Sequence, residues 1–439
     1  HFAGAEIHRA DQSFTADEKE YPAGTFVILL AQPFRAFVKD LLEVQKHPDP
    51  KKMPAGAMAD QPYDTTGWTL PLQMGVQAVT VKEPFEAPLT KLVTIPKPEG
   101  DLKWYSGVGG RGFLIQPEPN NRVILINRLL KAGADVSWLT DELELQSGRR
   151  YPAGSLYVTN TSADKLRPMM LELGLRGEEG TQFDEALSTA KRLRLRAPRV
   201  GLYQPWTASM DEGWNRWLLE QYEFDYTTLH NQDIKAGKLG EKFDVIILPG
   251  DRDKKQILEG NKFKWTLEEY KGGIGEDGLE VLRQFVRRGG TLVLLDESAQ
   301  LALDSWAVPI KNVLQGVKRS EFACPGSLLR IQVDTNHPVA YGMPAEASAV
   351  FVNSPAFDLA PGFSYTDVKV IARYPGTNPL QSGWIRGPEH LHNRIAAAEV
   401  RYEKGRIILL GFRAQFRAQP HNTFKLLFNA LHYAAAEKQ

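Results

Sequence analysis

Three short apolar runs between residues 199 and 298 constrain the fold of this chain more than any other feature. They are Arg199-Val-Gly-Leu-Tyr203, Phe243-Asp-Val-Ile-Ile-Leu-Pro-Gly250 and Gly290-Thr-Leu-Val-Leu-Leu-Asp296. Segments of helical period lie between them: one carries Trp214, Trp217, Leu218 and Tyr222, and another spans 278–288. Apolar runs alternating with amphipathic helices predict parallel strands covered on both faces, an α/β fold with a doubly wound, mainly parallel sheet. In such sheets ligands sit outside the carboxyl ends of the strands. The residues placed there are Trp206, Ser209, Asp211 and Glu212 after the first run, Asp251 and Asp253 after the second, and Asp296, Glu297 and Ser298 after the third.

Two readings of that cluster stay open. Aromatic planes beside carboxylates can hold a sugar, a peptide amine or a cation. Alternatively, Asp211 and Glu212 cap a helix beginning near Gly213 while the tryptophans pack in the core. Gly272-Gly-Ile-Gly275 adds a backbone-rich loop near the same rim.

Residues 1–198 carry an internal repeat. Gly4-Ala-Glu-Ile-His-Arg-Ala precedes Tyr21-Pro-Ala-Gly-Thr-Phe-Val-Ile, and Gly133-Ala-Asp-Val-Ser-Trp-Leu precedes Tyr151-Pro-Ala-Gly-Ser-Leu-Tyr-Val. Each copy reads as a strand, a polar loop, a Pro-Ala-Gly turn, a second strand and a helix, over 33–44 in the first and 163–173 in the second. The second copy also has a strand at 112–116 and a helix at 121–131 ahead of its Gly-Ala. By symmetry the same pair is expected before His1 in the parent polypeptide. The expected division is therefore 1–100 for the first α/β half, truncated at its start, 101–198 for the second half, and 199–439 for the doubly wound domain.

Composition bounds the rest. A chain of 439 residues is too long for one ordinary core. Equal numbers of basic and acidic side chains, 53 each, leave no field to attract nucleic acid or an anionic membrane. No apolar run reaches the roughly 18–20 residues that span a bilayer. The basic run Lys191-Arg-Leu-Arg-Leu-Arg196 reads as a strand edge or solvated linker. The single cysteine, Cys324, excludes an internal disulfide and reads as a small buried apolar residue.

Several longer stretches are distinctive together: Leu30-Ala-Gln-Pro-Phe-Arg-Ala-Phe, Tyr63-Asp-Thr-Thr-Gly-Trp-Thr-Leu-Pro-Leu-Gln-Met-Gly-Val, Gln204-Pro-Trp-Thr-Ala-Ser-Met-Asp-Glu-Gly-Trp, Asn336-His-Pro-Val-Ala-Tyr-Gly-Met-Pro and Gly411-Phe-Arg-Ala-Gln-Phe-Arg-Ala-Gln. They resemble the C-terminal region of bacterial M14-type zinc carboxypeptidase-like proteins, which carries a class I glutamine-amidotransferase-like (flavodoxin-like) domain. The resemblance implies an exported protein, secreted or periplasmic, concerned with peptide breakdown. It also implies an upstream peptidase domain as partner, and zinc held there and not in this chain. Ligands open to the crevice are a peptide, an amino acid or a sugar, and homo-oligomerisation is left open.

The family's catalytic groups do not carry over. None of the nine histidines has a glutamate three residues later, so the His-x-x-Glu zinc motif is missing. His390 and His392 would lie on one side of an extended strand, with no third ligand. A class I amidotransferase needs a cysteine on the turn after a central strand. The matching turn here is Leu294-Leu-Asp-Glu-Ser298, with Asp296 or Glu297 in that place. A carboxylate cannot form a glutamyl thioester. Ser298 lacks the glycines of a hydrolase elbow, and Gly107-Val-Gly-Gly-Arg-Gly112 precedes a strand where a dinucleotide fingerprint would follow one. No catalytic residue is assigned: the leading reading is a noncatalytic accessory region of such a carboxypeptidase-like protein, and the alternatives are a degenerate amidotransferase-like domain that binds a small molecule at the strand ends and a hydrolase using Asp296 or Glu297.

Overall fold

The computed structural model describes residues 2–48, 62–104, 112–145, 148–180 and 190–438. The first copy of the repeat folds as β1 (His8–Ala10), β2 (Phe14–Ala16), β3 (Lys19–Tyr21), β4 (Phe26–Val27) and α1 (Arg35–Leu42), shorter at both ends than the pattern predicts. A short helix α2 (Leu70–Met74) and strands β5 (Leu89–Lys91) and β6 (Asp101–Trp104) follow. The second copy is β7 (Gly112–Ile115), α3 (Arg122–Lys131), β8 (Asp135–Leu139), β9 (Leu143–Glu144), β10 (Arg150–Tyr151), β11 (Leu156–Thr159) and α4 (Ala163–Leu173), then β12 (Arg176–Gly180) and β13 (Arg192–Leu195).

The Pro-Ala-Gly turn does the same work in both copies. Proline presets one backbone angle and glycine takes the left-handed one: Gly24 lies at φ 88° and Gly154 at φ 86°. Gly24 N–H then donates to Ala10 O at 2.7 Å, and Gly154 N–H to Leu139 O at 2.8 Å. The second copy sits in a seven-stranded sheet, whereas β4, β1 and β5 form a sheet of three. The basic run 191–196 is neither a linker nor a free edge. It forms β13, which pairs with β8 on one side and with the last strand of the chain on the other. There Arg194 meets Asp135 at 2.7 Å. The glycine-rich stretch 107–112 lies outside the described residues except for Gly112.

The remaining chain builds the larger sheet. Its parallel part begins with β14 (Val200–Tyr203), β15 (Tyr226–Leu229), β16 (Val245–Leu248) and β17 (Thr291–Leu295). The helices α5 (Met210–Gln221), α6 (Asn231–Lys235), α7 (Leu239–Lys242), α8 (Lys254–Glu259) and α9 (Gly275–Arg287) connect them, and α10 (Gln300–Ser305) follows. Next come β18 (Ile310–Asn312), β19 (Ser327–Val333), β20 (Glu346–Phe351), β21 (Phe357–Leu359), β22 (Val368–Arg373), β23 (Leu380–Ser382), β24 (Ile395–Tyr402) and β25 (Gly405–Leu410). The chain closes with α11 (Phe424–Ala434) and β26 (Glu437–Lys438). The order is β15-β14-β16-β17-β25-β24-β22-β19-β20. The first five strands are parallel, and β24 turns the sheet antiparallel.

The continuous apolar runs are explained by two cores. Val245 and Ile247 enter the core on one face of the sheet, and Ile246 and Leu248 the core on the other. Successive strand side chains point to opposite faces, so a strand covered twice has no polar side. Each fully buried aliphatic side chain contributes about 1.5–3 kcal/mol. On α9, Leu279, Leu282, Phe285 and Val286 form the buried stripe. The stretch Glu399-Val-Arg-Tyr-Glu-Lys-Gly-Arg-Ile-Ile-Leu-Leu-Gly-Phe predicts a hairpin with Lys-Gly at its turn; the β24–β25 hairpin instead turns on Glu403-Lys404, because Tyr402 pairs with Gly405. Gly405 is needed for another reason: a Cβ there would lie 2.1 Å from Val286 O. His390 belongs to a single 3₁₀ turn, Pro388–Leu391, and not to a strand.

The last helix joins the two units. Every residue from Phe424 to His432 is buried. Arg122 of α3, itself fully buried, donates to Gly154 O at 2.7 Å, to Asn429 Oδ1 on α11 at 3.2 Å and to Tyr341 O at 3.4 Å. Burial lowers its pKa to about 10, which leaves it charged at neutral pH. Among the described residues no helix is long and apolar enough to cross a membrane.

Candidate functional site

Sequential strands lie on opposite sides of β14, with β15 on one flank and β16 on the other. The connections leave in opposite directions here, so a crevice opens at the carboxyl ends of β14 and β16. Ser209 begins its near wall. It caps α5, its hydroxyl accepting from Glu212 N–H at 3.1 Å while donating to Asp251 Oδ1 at 2.6 Å. Asp251 Oδ2 also accepts Met210 N–H at 3.0 Å, so one carboxylate bridges the crevice and neutralises a helix N-terminus. The helix thus starts three residues before Gly213, and Asp211 and Glu212 occupy its first turn rather than its cap.

Above this lies a cleft of about 370 Å³ lined by Gln204, Pro205, Trp206, Thr207, Ala208, Ser209 and Glu212. Trp206 stacks on His230 with centroids 3.7 Å apart and meets the edge of Tyr270 at 4.7 Å. Its indole N–H has no hydrogen-bond partner among the described residues. Glu212 is held by Arg216 at 2.6 Å. The other tryptophans of this stretch are not core: Trp214 and Trp217 contact each other edge to face, and Trp217 is 43% exposed.

Beneath the cleft is a buried charge cluster. Asp296 follows β17 in the left-handed region at φ 48°, a conformation that among non-glycine residues Asp and Asn tolerate best. Arg413, three residues beyond β25, donates from Nε to Asp296 Oδ2 at 2.9 Å and lies 3.3 Å from Asp211 Oδ2. Gly250 lets the groups converge, since a Cβ there would sit 3.0 Å from both Asp211 Oδ2 and Asp296 Cβ. Burial pushes Asp296 up to about 7 and Asp211 up to about 6, against the pull of the Arg413 guanidinium. Burial also raises the half-buried Glu297.

The residues singled out from sequence therefore separate by depth. Trp206, Ser209 and Glu212 line the cleft, and Asp251 bridges its rim. Asp211 and Asp296 lie fully buried in the ion cluster, and Glu297 stands beside them. Ser298 is spent on main chain, donating to Leu295 O at 2.7 Å. Asp253 caps α8. Cys324 is fully buried, and burial pushes its thiol up to about 12. Sequence reasoning missed Arg413, His230 and Tyr270. Arg413 was visible in Gly411-Phe-Arg, directly after an apolar run, but its pairing required knowing that β25 lies beside β17.

Among the described residues no group of three or more His, Cys, Asp or Glu side chains is placed to hold a metal ion. Around the cleft the Ser209 hydroxyl and the Glu212 and Asp251 carboxylates are engaged with protein partners, one face of the Trp206 indole is covered by His230, and its unpartnered N–H is buried.

No protein-family model matches the chain, and no curated protein matches it. Among solved structures, a cytoplasmic protein from Salmonella typhimurium is 14% identical, with TM-score 0.35 over 55% of this chain and all of its own. A ThuA-like protein from Bacteroides uniformis is 14% identical, with TM-score 0.31 over 54% of this chain and 91% of its own. A glutamine amidotransferase from Thermotoga maritima is 10% identical, with TM-score 0.33 over 55% of this chain and 99% of its own. Likenesses of this size say nothing about activity.

Proposed function

We propose that this chain is a noncatalytic accessory region of an exported zinc carboxypeptidase-like protein, and that it holds a small polar ligand, an amino acid, peptide or sugar, in the Trp206–Ser209–Glu212 cleft. The observation that carries the noncatalytic reading is the state of Asp296. The turn that would need a thiol holds a carboxylate that is fully buried and bound to Arg413. A group so enclosed supports the fold and does not meet a substrate. The accessory role and export rest on the sequence likeness of the long motifs.

Thermal-shift and calorimetric titration with amino acids, dipeptides and monosaccharides tests the reading. A ligand at 100 times its Kd raises stability by about 2.7 kcal/mol. Trp206→Ala is expected to abolish that shift, and Asp296→Asn to leave it in place. No response across the panel would remove the ligand-binding reading. Stoichiometric zinc with peptidase turnover by this chain would remove the noncatalytic one, and hydrolysis lost in Asp296→Asn would establish the hydrolase alternative.

A further inference from the structure

The loop between α8 and α9 is closed at its base and aromatic at its tip. Asn261 and Gly272 form an antiparallel bridge, with Gly272 N–H donating to Asn261 O at 2.7 Å. Gly260 permits that closure, since a Cβ there would lie 2.0 Å from Gly272 O. Asn231 Nδ2 donates to Gly272 O at 2.9 Å, and Asn231 Oδ1 accepts from the Tyr203 hydroxyl at 2.7 Å, so the base is tied to the end of β14. Inside the loop the Asn261 side chain accepts from Phe263 N–H at 3.0 Å and donates to Thr266 Oγ1 at 3.1 Å. These bonds hold one loop shape against the entropy of an open chain.

That shape displays flat aromatic surface. Phe263 and Trp265 stack with centroids 5.2 Å apart and planes at 9°, yet they are 57% and 83% exposed. Phe263 lies against one face of the indole, and the other face is in water. Further along the same loop, Tyr270 meets the edge of Trp206 at 4.7 Å. The loop thus carries aromatic side chains from the cleft wall out to its tip.

Charge decides what fits. None of the residues lining the cleft is basic, and nearby Arg216 and Arg252 are engaged with Glu212 and with Asp251 O. Among the described residues, the carboxylate of an amino acid or peptide finds no free cation in the cleft lining. On the loop, Lys262 is paired with Glu259 at 2.6 Å, and Lys271 with Glu268. A protein partner fits poorly too, because interface cores are depleted in Lys and Glu, whereas Lys262, Lys264, Glu268 and Glu269 are all exposed on this loop. A pyranose ring suits what is left: its C–H face lies on an indole while its hydroxyls stay in water.

We propose that this loop is a platform for a neutral saccharide chain, with one sugar ring stacked on Trp265 and the chain reaching towards Trp206. The cleft end of the chain rests on the reading of the Trp206 site as a ligand cleft, and it narrows that ligand to a sugar of more than one unit. Trp265 touches the sugar, and Phe263 positions the indole.

The test is calorimetric titration with glucose, N-acetylglucosamine and their neutral tetrasaccharides cellotetraose, maltotetraose and N-acetylchitotetraose. At least one tetrasaccharide is expected to bind about 2- to 10-fold more tightly than its monosaccharide, the factor that one good aromatic contact gives. Trp265→Ala is expected to remove that gain and to leave monosaccharide binding in place. It is also expected to leave the Tm unchanged, because the side chain is mostly in water. Trp265→Phe, which restores a flat ring, is expected to recover part of the gain. Tetrasaccharides bound no more tightly than monosaccharides, or bound equally by the parent and Trp265→Ala, would overturn the proposal, and the cleft reading would survive where Trp206→Ala abolishes monosaccharide binding. Tetrasaccharide binding lost in Trp265→Ala but untouched by Trp206→Ala would support the platform and remove the cleft reading. Binding of triglutamate that is lost in Lys264→Ala would assign the loop to an acidic peptide and overturn the sugar.

Discussion

Replacing Arg413 with methionine is expected to destabilise the protein by ~3–5 kcal/mol at pH 8, the cost of leaving buried charge without its partner. The guanidinium is the shared counter-charge of two fully buried carboxylates, Asp211 and Asp296. Below neutrality the loss is expected to shrink. Both carboxylates have folded-state pKa values above the ordinary range, near 6 and 7, so the folded chain keeps protons that the unfolded chain has released. Their contribution is present in full below the ordinary carboxylate range and is lost as pH rises through 6 and 7. Denaturant titrations at pH 5.5 and pH 8 should therefore show Arg413→Met hurting most at the higher pH. Asp296→Asn, which leaves one arginine facing one aspartate, should flatten the pH dependence of the parent. Asp244 works in the opposite sense: burial pushes it up, but Arg199 and Arg196 outweigh that and hold it well below the usual carboxylate range. Its effect falls at more acid pH and does not disturb the comparison. Equal losses for Arg413→Met at both pH values would show that the two aspartates do not share the arginine.

Arg122→Ala is the second large effect, expected at ~3 kcal/mol or more. The substitution strands Gly154 O and Asn429 Oδ1, while Tyr341 O keeps the hydrogen bond that Asn429 Nδ2 donates at 2.9 Å, and each unsatisfied buried group costs about 1–3 kcal/mol. It also leaves a cavity between the repeat and α11. Urea denaturation measures the loss. A change within about 1 kcal/mol would mean that water replaces the guanidinium at this junction.

The parallel half of the sheet was legible because both its faces are covered, which forces β14, β16 and β17 into unbroken apolar runs. The repeat was legible because Tyr-Pro-Ala-Gly specifies one turn wherever it stands. The start of α5 was misplaced because two acids looked like the cap, while the cap is Ser209, engaged on both sides. The turn of the β24–β25 hairpin was misplaced because Gly405 draws attention as a turn former, whereas it is required by the approach of Val286 O. Short strands such as β18, β21 and β23, three residues each, carry too little pattern to show periodicity. Arg413 escaped because it stands 117 residues from Asp296 in the chain, and only strand order makes them neighbours.

That β26 pairs with β13 has a practical meaning for anyone who would cut this molecule in two. Severing the chain near residue 198 would not release two independent halves, since the tail of the later part is stitched into the sheet of the earlier one and α11 is wedged behind it. The Trp206 cleft and the repeat are thus mounted on a common chassis, and a polypeptide anchored to one is aimed at a fixed angle to the other.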